Sequence, residues 1–467
     1  MKNLKYYISF MLLLGSFTSC EDFVDVEVPA HKTVSATVFS NDQSAQSAMQ
    51  GIYNELSRAD FSGRMASAVT VLAGLSADNL KTTTSSHPEL KEFYENLILP
   101  SNTNNFNLWS SIYNIIYMCN AVVEGVENSD GLSPEVSDRL IGQAKCIRAF
   151  GYFYLTNLYG DVPLITSTDY RTNAVAPQQA PQEIYVQMVK DLEDALELLP
   201  LEYPNAERTA VNQGTAMALL ARVYLYLQDW TQAELLSNEV INNPNYTLLD
   251  SLDEVFLANS QEAIWQISPI GAGNSLTNTP EGSFFILNSP PGYSKPVALT
   301  ESLIDTFKPH DNRRVDWIGT YQDETTTFYY PYKYKIPYAT GADYTEYSMV
   351  LRLAEQYLIK SEALARKGDL NNAVIALDKI RMRAGLDPLS SIAPNIQQEA
   401  LLDSIQLEKR REFFTEWGHR WLDLKHTGKI DEVLQDEKPY WQGAYQYYPI
   451  PEEDLQNNPY LTQNPGY

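Results

Sequence analysis

Cysteine is almost missing from this 467-residue sequence: Cys20, Cys119 and Cys146 are the whole complement. With no CxxC pair there is no thiolate metal or redox motif, and three residues are too few for a disulfide scaffold. Cys119 and Cys146 fall in apolar helical stretches, where buried free thiols are expected; a bond between them would be tolerated outside the cytosol, but nothing requires it. Histidine is nearly as sparse, with His31, His87, His310, His419 and His426 scattered along the chain. His419 and His426 share a helix face but stand too far apart to form a metal pair. HExxH, GxSxG, GxxxxGK[ST] and GxGxxG do not occur, so no familiar hydrolase, phosphate or dinucleotide signature supports an enzyme. Carboxylate pairs carry no information in a chain with 59 Asp and Glu, and no EF-hand-like spacing supports a structural Ca²⁺. No cofactor is therefore expected, with a structural Ca²⁺ among the carboxylates left as an alternative. Basic residues are in deficit, 34 Lys and Arg against those 59 acids, for a net charge of −25. That balance excludes nucleic acid and anionic membrane surfaces as charge-driven partners.

No hydrophobic run reaches the ~20 residues needed to span a bilayer. The apolar stretch Ile8 to Leu14 follows Lys2 and Lys5 and ends in the mostly small residues Gly15 to Ser19, directly before Cys20. Residues 1–19 therefore read as a signal peptide. The cysteine after Phe17-Thr-Ser19 resembles a bacterial lipoprotein cleavage site, with Phe17 replacing the more usual Leu. On this reading Cys20 is lipidated, and that anchor is the only attachment to a membrane.

What is abundant is helical periodicity and aromatic side chains. Asp42–Leu56, Leu108–Val126, Pro134–Tyr159, Pro181–Leu199, Asn212–Leu227 and Trp230–Ile241 carry apolar residues at three- and four-residue spacing, as do Met349–Lys367, Leu370–Ala384 and Gln397–Lys425. In the last, Leu407, Phe414 and Trp421 recur every seven residues beside Trp417 and Leu424, a core stripe. Two helix pairs echo each other: Ala221, Asp229, Ala233, Leu235 and Val240 align with Ser361, Asp369, Ala373, Ile375 and Ile380. Small residues twelve apart across a turn suit tetratricopeptide-type helix hairpins. The fold class expected is mainly α, a helical-repeat scaffold over about 35–243 and 349–467. It is interrupted by a polar loop at about 76–107 and by a large, irregular, aromatic-rich insertion at about 244–348. Fourteen aromatics fall between residues 282 and 347, and loops displayed on a rigid frame are where binding usually resides.

Taken in order, several segments resemble the SusD/RagB family of nutrient-binding outer-membrane lipoproteins. They are Cys20-Glu-Asp-Phe-Val-Asp25, Trp109 to Tyr113 with Asn120, Ile147 to Leu155 leading into Leu158 to Ile165, and Tyr357 to Ala365. Ile380 to Leu386, Glu408 to Phe414, Arg420 to Leu424, Tyr448-Pro-Ile-Pro451 and Asn464 to Tyr467 complete the series. The resemblance implies one SusD-like domain over residues 20–467, with a tetratricopeptide-like half supporting an irregular, ligand-binding half. It also implies a location on the outward face of the outer membrane and a SusC-like TonB-dependent transporter as partner. The cargo implied is an oligosaccharide, with peptide as the alternative; a pure protein-interaction scaffold is the reading from another class.

Sugar binding needs aromatic faces for pyranose C–H groups and amides or carboxylates for hydroxyls. Trp317, the only Trp in the insertion after Trp265, is the first platform candidate. Tyr293 on the Pro290-Pro-Gly292 loop and Tyr321 come next. Asp78, Asn79 and Tyr94 in the polar loop are the remaining ligand-binding candidates, whereas Trp109, at a helix start, reads as core.

Overall fold

The structure, a computed structural model, describes residues 35–82, 86–205, 207–272, 278–337 and 344–467; residues 1–19, read above as a signal peptide, and Cys20 lie outside them. The protein is mainly helical. Its principal helices are α1 (Asp42–Leu56), α2 (Val69–Ser76), α3 (Pro88–Glu95), α4 (Thr103–Glu127), α5 (Pro134–Tyr159) and α6 (Pro181–Leu198). There follow α7 (Gln213–Tyr226), α8 (Trp230–Ile241), α9 (Leu353–Arg366), α10 (Leu370–Arg383), α11 (Gln398–Glu412) and α12 (His419–His426). From α4 to α10 each helix packs on the next, including α8 on α9 across the long insertion between them. The insertion is thus looped out of a continuous helical stack. Within the stack Cys119 on α4 and Cys146 on α5 are buried free thiols, and burial pushes the Cys119 thiol up to about 12.

The two echoing helix pairs share the same turn and the same cap. Gln228 (φ 60°) and Gly368 (φ 87°) take the left-handed turn before Asp229 and Asp369, which cap α8 and α10 by accepting from Gln232 N at 3.1 Å and Asn372 N at 3.3 Å. Ala233 and Ala373 are fully buried at the crossings. Small side chains there let the helix axes approach closely, and Ser361 Oγ donates to the Ala373 carbonyl at 2.8 Å.

Three element boundaries differ from the periodicity. Residues Ser348–Arg352 form a strand rather than the start of a helix, pairing antiparallel with Ala263–Ile267. A partner some 80 residues away is invisible to a local pattern. The stretch Gln397–Lys425 breaks into α11 and α12, with positive φ at Thr415, Trp417 and Gly418. At the break, tertiary bonds replace helical ones: Trp417 N donates to Thr70 Oγ1 at 3.1 Å and Trp417 Nε1 to the Met349 carbonyl at 2.7 Å. Phe414, Trp417, Trp421 and Leu424 are core as expected, whereas Leu407 is exposed. The polar segment 76–107 is not loop throughout. It contains the strand Leu80–Thr82 and α3, which starts at Pro88 and buries Leu90 and Phe93.

What joins insertion to stack is a cluster of buried charges. The Glu412 carboxylate, fully buried at the end of α11, takes Arg352 Nη1 at 2.5 Å, Arg313 Nη1 at 2.9 Å and Arg383 Nη2. Glu262 binds Arg352 at 3.0 Å and Arg383 at 2.8 Å, while Asp311 and Glu408 hold Arg313 at 2.8 and 2.6 Å. Glu416 pairs with Arg352 at 2.8 Å and with Lys333. Burial alone would raise the Glu412 carboxyl; the Arg383, Arg352 and Arg313 guanidinium groups overcome it and hold it well below the usual carboxylate range. Two further buried bidentate pairs, Arg148–Asp191 and Arg222–Glu355, tie α5 to α6 and α7 to α9. Glu412→Gln leaves three desolvated guanidinium groups short of a counter-charge and is expected to cost about 3–5 kcal/mol, read as a lowered midpoint in urea unfolding.

Candidate ligand-binding surface

The strand Leu80–Thr82 (β1) leaves the buried α2 and pairs antiparallel with Val297–Leu299 (β2) of the insertion, Leu80 opposite Leu299 and Thr82 opposite Val297. Alternation buries Leu80 and leaves Lys81 facing out, where its ammonium meets the exposed Glu301 carboxylate at 2.7 Å. Asp78 and Asn79, at the root of this ribbon, are both 2% exposed. Asp78 accepts from Arg420 at 2.7 Å and pairs with Arg410 at 3.0 Å, and Arg410 Nε donates to Asn79 Oδ1 at 2.9 Å. The backbone carbonyls of Asp78 and Asn79 accept from Thr300. Burial raises the Asp78 carboxyl, but Arg420 and Arg410 outweigh it and hold the group below the usual range. Both side chains are consumed by α11, α12 and the ribbon. They are the floor of the surface, and the expectation that they meet a ligand is corrected.

Above that floor, Tyr293 stands 76% exposed. Its ring stacks on His87, centroids 5.0 Å apart and planes inclined by 30°, and His87 Nε2 is 2.7 Å from the Tyr293 carbonyl oxygen. One ring face is covered and braced; the other is open to solvent. Gly292, just before it, closes the loop by donating to the Lys295 carbonyl at 3.0 Å. Tyr94 on α3 is half-buried over Lys438, whose Nζ lies 4.1 Å from its ring centre and donates to the Tyr94 and Leu75 carbonyls at 2.8 Å. Burial brings the Lys438 ammonium down to about 7.

Tyr321 sits on the hairpin formed by Ile318–Gln322 (β3) and Thr327–Pro331 (β4), opposite Phe328 and partly exposed. Strand β4 runs beside β2, so this hairpin flanks the ribbon. Trp317 is a different matter. It is fully buried, its Nε1 donates to the Leu252 carbonyl at 3.1 Å, and Lys333 lies 4.8 Å from its ring centre, with Arg352 and Arg383 each at 5.7 Å. Its place as first platform residue is therefore corrected: it roofs the buried charge cluster, where its π face meets three desolvated cations. His87 was missed by sequence reasoning. A lone histidine before a proline in a polar stretch gives no sign that its partner lies 206 residues downstream. The other histidines near the chain's end, His419 and His426, stack on Phe413 and Tyr226.

The arrangement is a helical frame carrying an exposed, braced aromatic face on an irregular insertion. Comparison with known proteins gives the family. Residues 22–225 match the family model described as "Starch-binding associating with outer membrane", and residues 312–439 match the SusD family. SusD-like protein P25 of Formosa agariphila is 23% identical over 98% of this chain and 99% of its own length. Among solved structures, a SusD superfamily protein from Bacteroides vulgatus superposes with a TM-score of 0.81 at 20% identity, covering 92% of this chain and 100% of its own. A laminarin-binding SusD-like protein superposes with 0.76 at 25% identity over 92% and 100%. The chain belongs to the SusD/RagB family.

Trp317→Ala is expected to destabilise the fold by about 3–5 kcal/mol, as large-to-small changes in a packed core do. Differential scanning calorimetry checks this; an unchanged melting temperature would return Trp317 to the surface.

Proposed function

We propose that the protein is a lipid-anchored surface lipoprotein of the outer membrane that captures oligo- or polysaccharide on the Tyr293 face. It then delivers the glycan to a SusC-like TonB-dependent transporter without chemically altering it and without a cofactor. The observation that carries the reading is the braced, open Tyr293 ring. Stacking on His87 fixes its orientation before ligand arrives, so a pyranose C–H face meets a surface already ordered. The ion pair of Lys81 with the exposed Glu301 on the ribbon, and the Tyr321 hairpin packed beside that ribbon, offer charged and hydroxyl partners for sugar hydroxyls on the same insertion. Kinship with a laminarin-binding protein and with a family described by starch binding at the outer membrane supports the glycan class. A single exposed ring binds weakly, and repeating chains recover affinity through multivalency.

Native affinity electrophoresis through gels containing laminarin, starch and other plant and microbial polysaccharides tests the cargo. Retardation by one class is expected. Tyr293→Ala should weaken it about tenfold, the loss of one aromatic contact, without moving the melting temperature, because the ring packs on nothing deeper than His87. Retardation unaffected by that change would remove the platform, and binding of peptide mixtures in place of every polysaccharide would transfer the cargo to peptide.

The anchor is tested separately. Cys20→Ala is expected to abolish incorporation of labelled palmitate and to move the protein from membrane to soluble fractions. Label retained by the variant would refute lipidation at Cys20.

A further inference from the structure

A second ligand-sized cavity, of about 450 Å³, opens at a distinct set of elements: α4, the segment Pro163 to Ala174, and the C-terminal stretch that includes the helix α13 (Glu452–Asn457). Three aromatics four residues apart on α4, Trp109, Tyr113 and Tyr117, share one face of that helix. They grade from buried to exposed: Trp109 is 2% exposed and forms the floor, Tyr113 is half-buried, and Tyr117 is 50% exposed at the mouth. Tyr170, 72% exposed, stands at the rim, and Leu461 lines another side. The Trp109 and Tyr113 rings are 4.9 Å apart and inclined by 57°. They form an angled wall rather than a flat platform.

The polar groups around this cavity are mostly spent. Tyr113 Oη donates to the Pro163 carbonyl at 2.9 Å, and Asn173 Nδ2 to Ser167 at 2.8 Å. Asn458 gives its amide to the Ala176 carbonyl at 2.8 Å and accepts from Tyr460 N at 3.0 Å. Besides the exposed Tyr117 and Asn457, the lining holds a carboxylate: Asp454, half-buried, has no Lys, Arg or His within salt-bridge distance among the described residues. Burial raises its carboxyl, with the Trp109 indole N–H opposing and Glu453 adding to the rise. A partly desolvated acid without a counter-ion, beside several aromatic faces, is the complement of an organic cation.

We propose that this cavity is a second binding site, for an arginine or lysine side chain presented by a peptide, with the cation against Asp454 and its aliphatic stem along Trp109, Tyr113 and Tyr117. Glu452 and Glu453, which precede Asp454 in the acidic first turn of α13, add negative charge to the same helix end. The inference is independent of the Tyr293 surface.

Isothermal titration or ligand-observed NMR of the purified protein with Nα-acetyl-arginine amide and Nα-acetyl-lysine amide tests it, with the citrulline analogue as the uncharged isostere. Saturable binding of both cations is expected, at least about tenfold tighter than citrulline, as one charge-assisted contact provides. Asp454→Asn should remove that preference and Tyr117→Ala should weaken binding, both with unchanged melting temperature, while Tyr293→Ala leaves it intact. Equal binding of citrulline and arginine, no saturable binding of either cation, or retention of the preference in Asp454→Asn would each overturn the proposal. So would saturable binding of methyl glucoside that competes with the cations, which would make the cavity a sugar site.

Discussion

The Glu412 carboxylate, held by three guanidinium groups in the dry interior, is the contact on which the architecture turns. Its partners come from an insertion helix, a strand end and the end of α10, and Glu262 closes the circuit from the far side. No two of those segments are neighbours in sequence. Desolvating so many charges is unfavourable unless all are satisfied together, so the cluster forms as a unit or not at all. That requirement sets where the insertion docks on the helical stack and places the β1–β2 ribbon, by way of Arg410 and Arg420 on the adjoining helices, against the same frame.

Two of the segments through which the chain resembles its family help to build this interior. Glu408 to Phe414 supplies two carboxylates of the cluster and the arginine under the ribbon, and Ile380 to Leu386 supplies Arg383. Kinship is therefore written in the foundation, while the Tyr293 loop and the Tyr321 hairpin stand on top of it. At about one residue in four identical to its relatives, the chain keeps the frame.

How much was legible follows from the range of the interactions involved. The boundaries of α1, α5 and α8 coincide with their apolar periodicity and caps because a helix is decided within a few residues. The repeated turn before Asp229 and Asp369 was legible for the same reason. Ser348–Arg352 was misread because its identity as a strand depends on Ala263–Ile267. Trp317 was misread because solitary tryptophan in a loop-rich, aromatic region suits a surface, and only the folded chain reveals the three cations gathered at its face. Asp78 and Asn79 were found as residues of consequence but not as a floor, since Arg410 and Arg420 lie over 330 positions away. The exposure of Tyr293 was legible from its Pro-Pro-Gly loop; its brace, His87, was not.

The Tyr293 ring and its His87 support come from two loops that meet at the end of a short ribbon, and among the described residues neither loop takes part in the charge cluster beneath. Substitution, lengthening or exchange in either one alters the presented face while the interior stays whole. The molecule is thereby divided into a chassis and a replaceable tip, and under the function proposed above recognition can drift toward new ligands without each step being a test of whether the chain still folds.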